Sequence, residues 1–247
     1  MKKENSIIIL AAGKGVRMKS NLPKVLHEFN GKPMISRIVE TAQNIKPKKI
    51  AVVVGYKKDV VIEALKNFDS IIFVEQKKQN GTGHAVLMTA KYFSGFDGNV
   101  VITPGDVPLL KAKTIDNLIR IHNEKNAAAT VLTAILNDPT GYGRIIRDKN
   151  GYVLKIVEHK DASEQKRKVN EINSGIFCFD AKKLFEILPL IKTNNAQNEL
   201  YLTDTLEILQ NEGAKIAAVI AKDPLEISGI NSPEQLKELE SLDDSPK

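Results

Sequence analysis

Short apolar runs alternate with longer amphipathic stretches through the first half of the chain, and this alternation limits the possible folds more than any other feature. SIIIL at 6–10, IAVVV at 50–54 and NVVIT at 99–103 are continuously apolar, which is typical of strands buried on both faces of a sheet. MISRIVETAQNI at 34–45 and TIDNLIRIHNEK at 114–125 carry apolar residues at helical spacing. The order of strand, helix and strand predicts an α/β fold with a parallel sheet flanked by helices.

The pattern changes from Ala127 onward to the β-rich segments ATVLTAIL, GRIIRD, GYVLKIVE and INSGIFCF, which we interpret as antiparallel additions to the far side of the sheet. Two helices (AKKLFEIL and ELYLTDTLEILQNEG), a strand (KIAAVIA) and a helix from Ser232 follow. No repeat or flexible linker interrupts the chain. We therefore expect one domain over residues 1–231, with a C-terminal helix and polar tail over 232–247. A sugar-sized cleft is expected where the β-rich half meets the first half.

The composition narrows the class of partner. The chain has 247 residues, 42% of them hydrophobic and 27% charged, which is typical of a soluble protein with a full core. The net charge of +6 raises the question of nucleic acid, but only six of the 36 basic residues are arginines, so anionic small molecules are favoured instead. No apolar run approaches the roughly 18 residues of a membrane span. The single Cys178 excludes an internal disulfide and favours a buried position in a cytoplasmic protein.

The loop after the first strand, LAAGKGVRMKS at 10–20, comes within one residue of a Walker A phosphate loop, because Met18 stands where the last glycine is needed. Gly13 and Gly15 permit unusual backbone angles that turn N–H groups toward phosphate oxygens. The cations of this region are Lys14, Arg17, Lys19 and Lys24. We predict a phosphate site that works through these side chains. The alternative is a glycine-rich turn with solvated lysines.

Three polar residues elsewhere are candidates for binding. The amide of Gln76 can donate and accept at once, as a nucleobase edge requires; the alternative is a polar helix N-cap, with Thr82 also capping. Asp106 follows an apolar strand and suits a divalent cation, although a turn or cap is the alternative. Asn231 precedes Ser-Pro and on its own resembles a helix cap. The four histidines have no metal-ligand spacing and no GxSxG motif is present, so covalent catalysis has no candidate.

The motif LAAGKGVRMKSNLPKVLH resembles the signature of sugar-nucleotide pyrophosphorylases. Further segments are similar to the N-terminal uridyltransferase domain of bifunctional N-acetylglucosamine-1-phosphate uridyltransferase/glucosamine-1-phosphate acetyltransferase, and they follow the family order over nearly the whole chain. They are EQKKQNGTGHAV (75–86), TPGDVPLL (103–110), GYGRIIR (141–147), IVEHKDAS (156–163), EINSGIF (171–177), NNAQNELYLTD (194–204) and GIN (229–231). The resemblance implies a Rossmann-like nucleotidyltransferase fold with a mixed, mostly parallel sheet and a β-rich, sugar-binding half.

The resemblance also implies an activity: Mg²⁺-dependent in-line attack of N-acetylglucosamine 1-phosphate on the α-phosphorus of UTP, giving UDP-N-acetylglucosamine and pyrophosphate in the cytoplasm. The family's acetyltransferase domain, a trimer-forming β-helix, is absent from this sequence. We therefore expect no acetyltransferase activity and a monomer or weak oligomer. Two alternatives remain: a related pyrophosphorylase with another sugar 1-phosphate or nucleotide, and a non-catalytic sugar-nucleotide sensor.

The resemblance assigns roles to individual residues. The catalytic residues it implies are Arg17 and Lys24. The residues that it implies for nucleotide binding are Leu10, Ala11, Ala12, Gly13, Gly15, Gln76, Gly81, Thr82 and Gly105. The sugar-binding residues that it implies are Gly143, Glu158 and Asn173, with Tyr201, Thr203 and Asp204 lining the same pocket. The implied ligands of Mg²⁺ are Asp106 and Asn231.

Several positions depart from the family pattern. Val16 stands where threonine is usual, and Pro104 replaces the usual tyrosine before Gly-Asp. His159 and Asn198 occupy positions where glutamine and glycine are common. None of these changes removes a charged or metal-binding residue. We therefore expect the activity to persist, while the selectivity for sugar and base stays open.

Overall fold

The computed structural model describes residues 3–243, and a nine-stranded sheet forms its centre. The strands are β1 (Glu4–Ala11), β2 (Glu28–Phe29), β3 (Lys32–Pro33), β4 (Ile50–Val54), β5 (Ile71–Glu75), β6 (Gly98–Pro104), β7 (Ala129–Ile135), β8 (Arg144–Arg147), β9 (Val153–Val157), β10 (Glu171–Asp180) and β11 (Ile216–Ile220). The helices are α1 (Met34–Asn44), α2 (Lys58–Ala64), α3 (Thr82–Leu87), α4 (Ala112–Glu124), α5 (Glu164–Arg167), α6 (Ala181–Ile187), α7 (Asp204–Asn211) and α8 (Pro233–Leu242). Only β2 and β3 lie outside the main sheet, as a separate two-stranded ribbon.

The sheet is mixed and mostly parallel, as predicted. Its order is β11-β7-β10-β6-β1-β4-β5. β6, β1, β4 and β5 run parallel, whereas β10 is antiparallel to both β6 and β7. The β8–β9 hairpin attaches to one end of β10, so the expected antiparallel additions are confirmed. Because Leu10 pairs with Pro104, the loops after β1 and β6 emerge side by side at the carboxyl edge of the sheet.

Helices cover both faces of the sheet. α1, α2 and α4 pack on one face and α3, α6 and α7 on the other. In α1 the fully buried residues Ile35, Ile38, Val39 and Ala42 recur every three or four positions, which is the spacing of one helix face. The strands between these layers are buried on both sides, which explains their continuously apolar sequences. Within residues 3–243, no helix has the length and apolar character needed to cross a bilayer.

The helix expected over ELYLTDTLEILQNEG is shorter than predicted and begins only at Asp204. Residues 199–203 run beside the loop before α3 instead. Leu200 N donates to Asn80 O at 2.9 Å, and Gly83 N donates to Leu200 O at 2.8 Å. Because these backbone groups bond to another segment, they are not free to form helical hydrogen bonds.

A small third cluster of side chains joins α8 to the rest of the domain. Its buried members are Met18, Phe29, Met34, Ile230 and Leu239. The division between residues 231 and 232 stays a prediction, and residues 244–247 of the expected tail lie outside the described chain. Cys178 is fully buried as expected, and burial raises the pKa of its thiol.

Candidate active site

The loop after β1 depends on glycine at one position. Gly15 has φ of +67°, in the left-handed region, and a Cβ atom there would lie 2.4 Å from Lys24 Cβ. Only glycine therefore allows the Lys24 side chain to pass so close to the loop. The loop continues into a 3-10 turn at Val16–Met18, with Lys19 also left-handed. This is a different path from a Walker A loop, which continues directly into an α-helix.

Met18 anchors this turn to the core. Its side chain is 2% exposed, while Val16, two residues earlier, is 76% exposed. Met18 packs in the third cluster with Phe29 and Ile230, the residue directly before Asn231. The residue that breaks the Walker pattern thus fixes the cationic loop to the segment ahead of α8.

Four polar side chains converge at the carboxyl edge of the sheet. The Lys24 ammonium forms an ion pair with Asp106 Oδ2 and donates to Asn231 Oδ1 at 2.7 Å. Arg17 Nη2 donates to the same amide oxygen at 2.8 Å. We call Arg17, Lys24, Asp106 and Asn231 the charged centre. The two catalytic and two metal-binding residues implied by the resemblance therefore lie together, although up to 214 residues separate them in the sequence.

Backbone contacts join the segments of Asp106 and Asn231 and orient the Asn231 amide. Ile230 N donates to Asp106 O at 3.0 Å, which holds the two segments together. Asn231 Nδ2 donates to Gly229 O at 3.0 Å, so its Oδ1 is turned toward the cations. Asn231 is not the helix cap. The N-cap residue of α8 is Ser232, whose hydroxyl accepts a hydrogen bond from the backbone N–H of Gln235.

The donor set of the charged centre fits Mg²⁺. Asp106 Oδ2 and Asn231 Oδ1 both point at one ammonium group, so the two hard oxygen atoms already face a common cation. Magnesium takes few protein ligands and prefers carboxylate and carbonyl oxygens, with phosphates and water completing its shell. Across residues 3–243 there is no cluster of three or more His, Cys, Asp or Glu side chains that could hold a metal without a substrate.

A cleft of about 290 Å³ opens beside the charged centre. It is lined by Leu10, Ala11, Gly13, Lys24, Val25, Thr82, Pro104, Asp106, Glu158, Asn173, Gly175, Phe177, Leu202 and Thr203. Both halves of the domain contribute to these walls, as expected. Gly105 and Ala12 are not among the lining residues. Gly105 N donates to Leu10 O, and Ala12 O accepts from Tyr56 N. Pro104 contributes part of the wall where the family has tyrosine.

Gln76 is held firmly, with 3% of its surface exposed. Its Nε2 lies 3.0 Å from Gly81 O and 3.0 Å from His84 Nδ1. The alternative in which Gln76 and Thr82 cap α3 is wrong: Gly81 is the N-cap residue, and Thr82 Oγ1 accepts from Leu202 N at 3.1 Å. The sequence predicts no role for His84, although the residue lies within the family motif EQKKQNGTGHAV.

The three residues expected at the sugar also meet. Gly143 O accepts from Asn173 N at 2.9 Å, and a Cβ atom on Gly143 would lie 3.2–3.3 Å from the carboxylate oxygens of Glu158. Thr203 donates to Glu158 Oε1 at 3.2 Å, and burial raises the pKa of the Glu158 carboxyl. Burial and the nearby carboxylates of Glu207 and Asp161 raise the pKa of Asp204 to about 6.

A second cavity of about 440 Å³ borders Glu158 on the side of Arg17. Lys160 Nζ donates to Gln197 Oε1 at 2.6 Å, and Gln197 Nε2 donates to the Tyr201 hydroxyl at 2.8 Å. The sequence predicts no site role for Lys160 or Gln197, yet both lie in family motifs, at 156–163 and 194–204. This chain of contacts ties the segment before α7 to the turn after β9.

A mixed α/β fold whose first loop carries cations against a carboxylate and an amide suits the transfer of phosphate-bearing groups, which is the chemistry of a nucleotidyltransferase. The chain belongs to the MobA-like NTP transferase domain family, which matches residues 7–153. Members of this family transfer nucleotidyl groups and generally depend on a metal ion.

The particular relatives within this class are bifunctional GlmU proteins, as the sequence resemblance implied. The chain is 48% identical over 232 residues to bifunctional protein GlmU of Carboxydothermus hydrogenoformans, covering 94% of this chain and 51% of the relative. It is 46% identical over 237 residues to bifunctional protein GlmU of Clostridium novyi, covering 96% of this chain and 52% of the relative. The chain thus spans about half the length of the curated relatives it matches.

A solved structure of UDP-glucose pyrophosphorylase complexed with UDP-glucose has the same fold. It aligns with a TM-score of 0.76 and covers 98% of both chains. The sequence identity is 21%, so this likeness concerns the fold alone.

Proposed function

We propose that the protein transfers a uridylyl group from UTP to N-acetylglucosamine 1-phosphate, giving UDP-N-acetylglucosamine and pyrophosphate. The observation that carries the proposal is that Lys24 and Asp106 of the charged centre line the same cleft as Glu158 and Asn173. The similarity to bifunctional GlmU proteins over at least 94% of the chain supports the choice of substrates. The single cysteine favours the cytoplasm as the compartment of the reaction.

In the proposed reaction a phosphate oxygen of the sugar phosphate attacks the α-phosphorus of UTP. The new P–O bond forms as the bond from the α-phosphorus to the bridging oxygen breaks, and that electron pair leaves with pyrophosphate. The nucleophile is already an anion, so no general base is needed. The main barrier is the approach of two polyanions, which Lys24 and Arg17 offset by neutralising and aligning their phosphates.

Asp106 and Asn231 are the residues that would hold Mg²⁺. When bound, the metal supplies positive charge that neutralises the phosphate oxygens of the nucleotide. Before substrate arrives, the hydrogen bond from Ile230 N to Asp106 O holds the two segments together, and the one from Asn231 Nδ2 to Gly229 O orients the Asn231 amide. This preorganisation is what a site needs in order to avoid rearranging during the reaction.

The remaining predicted residues divide between base and sugar. We assign Gln76, Gly81 and Thr82 to the base, with the backbone from Leu10 to Gly15 and Gly105 around the nucleotide. We assign Gly143, Glu158 and Asn173 to the sugar. A carboxylate accepts from sugar hydroxyls, and the Asn173 amide can pair with the acetamido group. Asn173 Oδ1 already accepts from Gly175 N at 2.9 Å, which directs the amide nitrogen elsewhere.

Pyrophosphate release tests the proposal. The purified chain is supplied with each of four nucleoside triphosphates, combined with N-acetylglucosamine 1-phosphate, glucose 1-phosphate or galactose 1-phosphate, with and without Mg²⁺. We expect the highest kcat/KM with UTP and N-acetylglucosamine 1-phosphate, and none without the metal. Preference for another pair would contradict the substrates. Tight binding of UDP-N-acetylglucosamine without turnover would show that the protein is a sensor.

A further inference from the structure

The side chain of Gln76 is bound at only one end of its amide. Nε2 carries two hydrogens and lies 3.0 Å from both Gly81 O and His84 Nδ1. The carbonyl can only accept, so Nε2 donates to it, and Nδ1 accepts the second hydrogen in one of its two neutral tautomers. Accepting at Nδ1 places the proton of a neutral His84 ring on Nε2. Both donor positions of the Gln76 amide are therefore occupied within the protein.

The amide oxygen of Gln76 remains for a ligand. Among residues 3–243, no donor bonds to Oε1, and the atom is not one of the solvent-excluded side-chain atoms that lack a partner. It therefore reaches solvent although the residue as a whole is almost buried. Turning the amide over would place Oε1 against Gly81 O, an obligatory acceptor, and His84 could then bond it only in the other tautomer, with its proton on Nδ1. The carbonyl therefore favours this orientation, and Nδ1 holds it as the second acceptor.

We propose that His84 is a positioning residue that sets the base specificity by fixing the orientation of the Gln76 amide. This inference rests on the proposed function and on the assignment of Gln76 to the base. With Oε1 facing the base, the site accepts a hydrogen bond from the N3–H of uracil. Cytosine carries an unprotonated N3 acceptor at the same place, and two acceptors repel each other. The pair Gly81 O and His84 thus favours UTP over CTP.

Two substitutions separate this role from general packing. His84→Phe keeps the ring but removes the acceptor, so the amide loses one of its two anchors. His84→Asn retains an acceptor, because Oδ1 of the asparagine is bonded to Cγ, as Nδ1 of the histidine is. The measured quantity is the ratio of kcat/KM for UTP to that for CTP, with N-acetylglucosamine 1-phosphate and pyrophosphate release as the readout. The ratio of UTP to 5-methyl-UTP serves as a control, since both bases present the same N3–H.

We expect His84→Phe to lower the UTP/CTP ratio about tenfold, the effect of losing one neutral hydrogen bond. His84→Asn keeps the ratio within about threefold of wild type, and neither variant changes the UTP/5-methyl-UTP ratio. If His84→Phe does not fold by circular dichroism, His84→Ala is measured in its place. An unchanged UTP/CTP ratio in the variant lacking the acceptor would overturn the role of His84. Failure of the wild-type protein to prefer UTP would instead overturn the proposed function itself.

Discussion

Met18 links the stability of the domain to the geometry of the charged centre. It is 2% exposed and packs with Phe29, Met34, Ile230 and Leu239. Removing a buried methionine side chain lowers the free energy of unfolding by about 2–5 kcal/mol. Among residues 3–243 this cluster has five buried members, far fewer than the clusters on the two faces of the sheet, so its neighbours can relax more easily. We therefore expect about 2–3 kcal/mol for Met18→Ala. This corresponds to a decrease in Tm of roughly 5–10 °C for a domain of this size.

The same substitution should reduce activity in protein that is still folded. Met18 follows Arg17 directly and shares a buried cluster with Ile230, which precedes Asn231. We therefore expect its loss to loosen the contact between the Arg17 guanidinium and the Asn231 amide. A displacement of about 1 Å at a reacting centre reduces rates by roughly 100-fold. We expect kcat/KM for pyrophosphate release to fall about 10- to 100-fold at a temperature at which urea unfolding shows the variant to be native.

Two variants serve as matched controls for Met18→Ala. Val16→Ala removes a side chain that is 76% exposed in the same turn, so its free energy of unfolding should stay within about 0.5 kcal/mol of wild type. Met18→Leu conserves volume and should cost less than about 1.5 kcal/mol. A loss below about 0.5 kcal/mol for Met18→Ala would show that Met18 is not an anchor. The expected loss of stability with unchanged kcat/KM would show that the anchor does not position the charged centre.

Further predictions concern Asp204, Gly15 and Asn198. Because burial raises the pKa of Asp204 to about 6, the ionised side chain destabilises the fold above that pH. Asp204→Asn should therefore raise the free energy of unfolding at pH 7 by about 1–2 kcal/mol. Urea unfolding should show this gain vanishing as the pH falls toward 4. Gly15→Ala places a Cβ atom against Lys24 at a left-handed position, so pyrophosphate release should fall by about 100-fold. Asn198 has φ of +53°, which asparagine tolerates: Asn198→Ala should lower the free energy of unfolding by about 1 kcal/mol and Asn198→Gly should be nearly neutral. Equal stabilities for these last two variants would contradict the strain at Asn198.

The parts of the fold that the sequence predicted correctly are those with a strong local pattern. The apolar runs of β1, β4 and β6 and the helical spacing in α1 each report burial directly, because every residue of the element contributes to the signal. Residues 199–203 have helical composition but bond to the loop before α3. No local pattern carries that information, since the partner lies more than 100 residues away.

The candidate site was predictable to a different extent. Arg17, Lys24, Asp106 and Asn231 emerged from motif resemblance, and only the fold shows that they meet at a single amide oxygen and a single carboxylate. His84 was missed because a histidine inside a helical stretch has no signature of its function in its own neighbourhood. Its contact with Nε2 of the Gln76 amide depends on how the loop before α3 folds back over it.

The proposed function requires Asp106 and Asn231 to act as one unit at the charged centre. A double-mutant cycle tests it directly: kcat/KM for pyrophosphate release from UTP and N-acetylglucosamine 1-phosphate is measured in wild type, Asp106→Ala, Asn231→Ala and the double variant. Residues that act as a unit give grossly non-additive effects. We expect the kcat/KM of the double variant to be within about threefold of that of the less active single variant. A loss in the double variant equal to the product of the two single losses would contradict it.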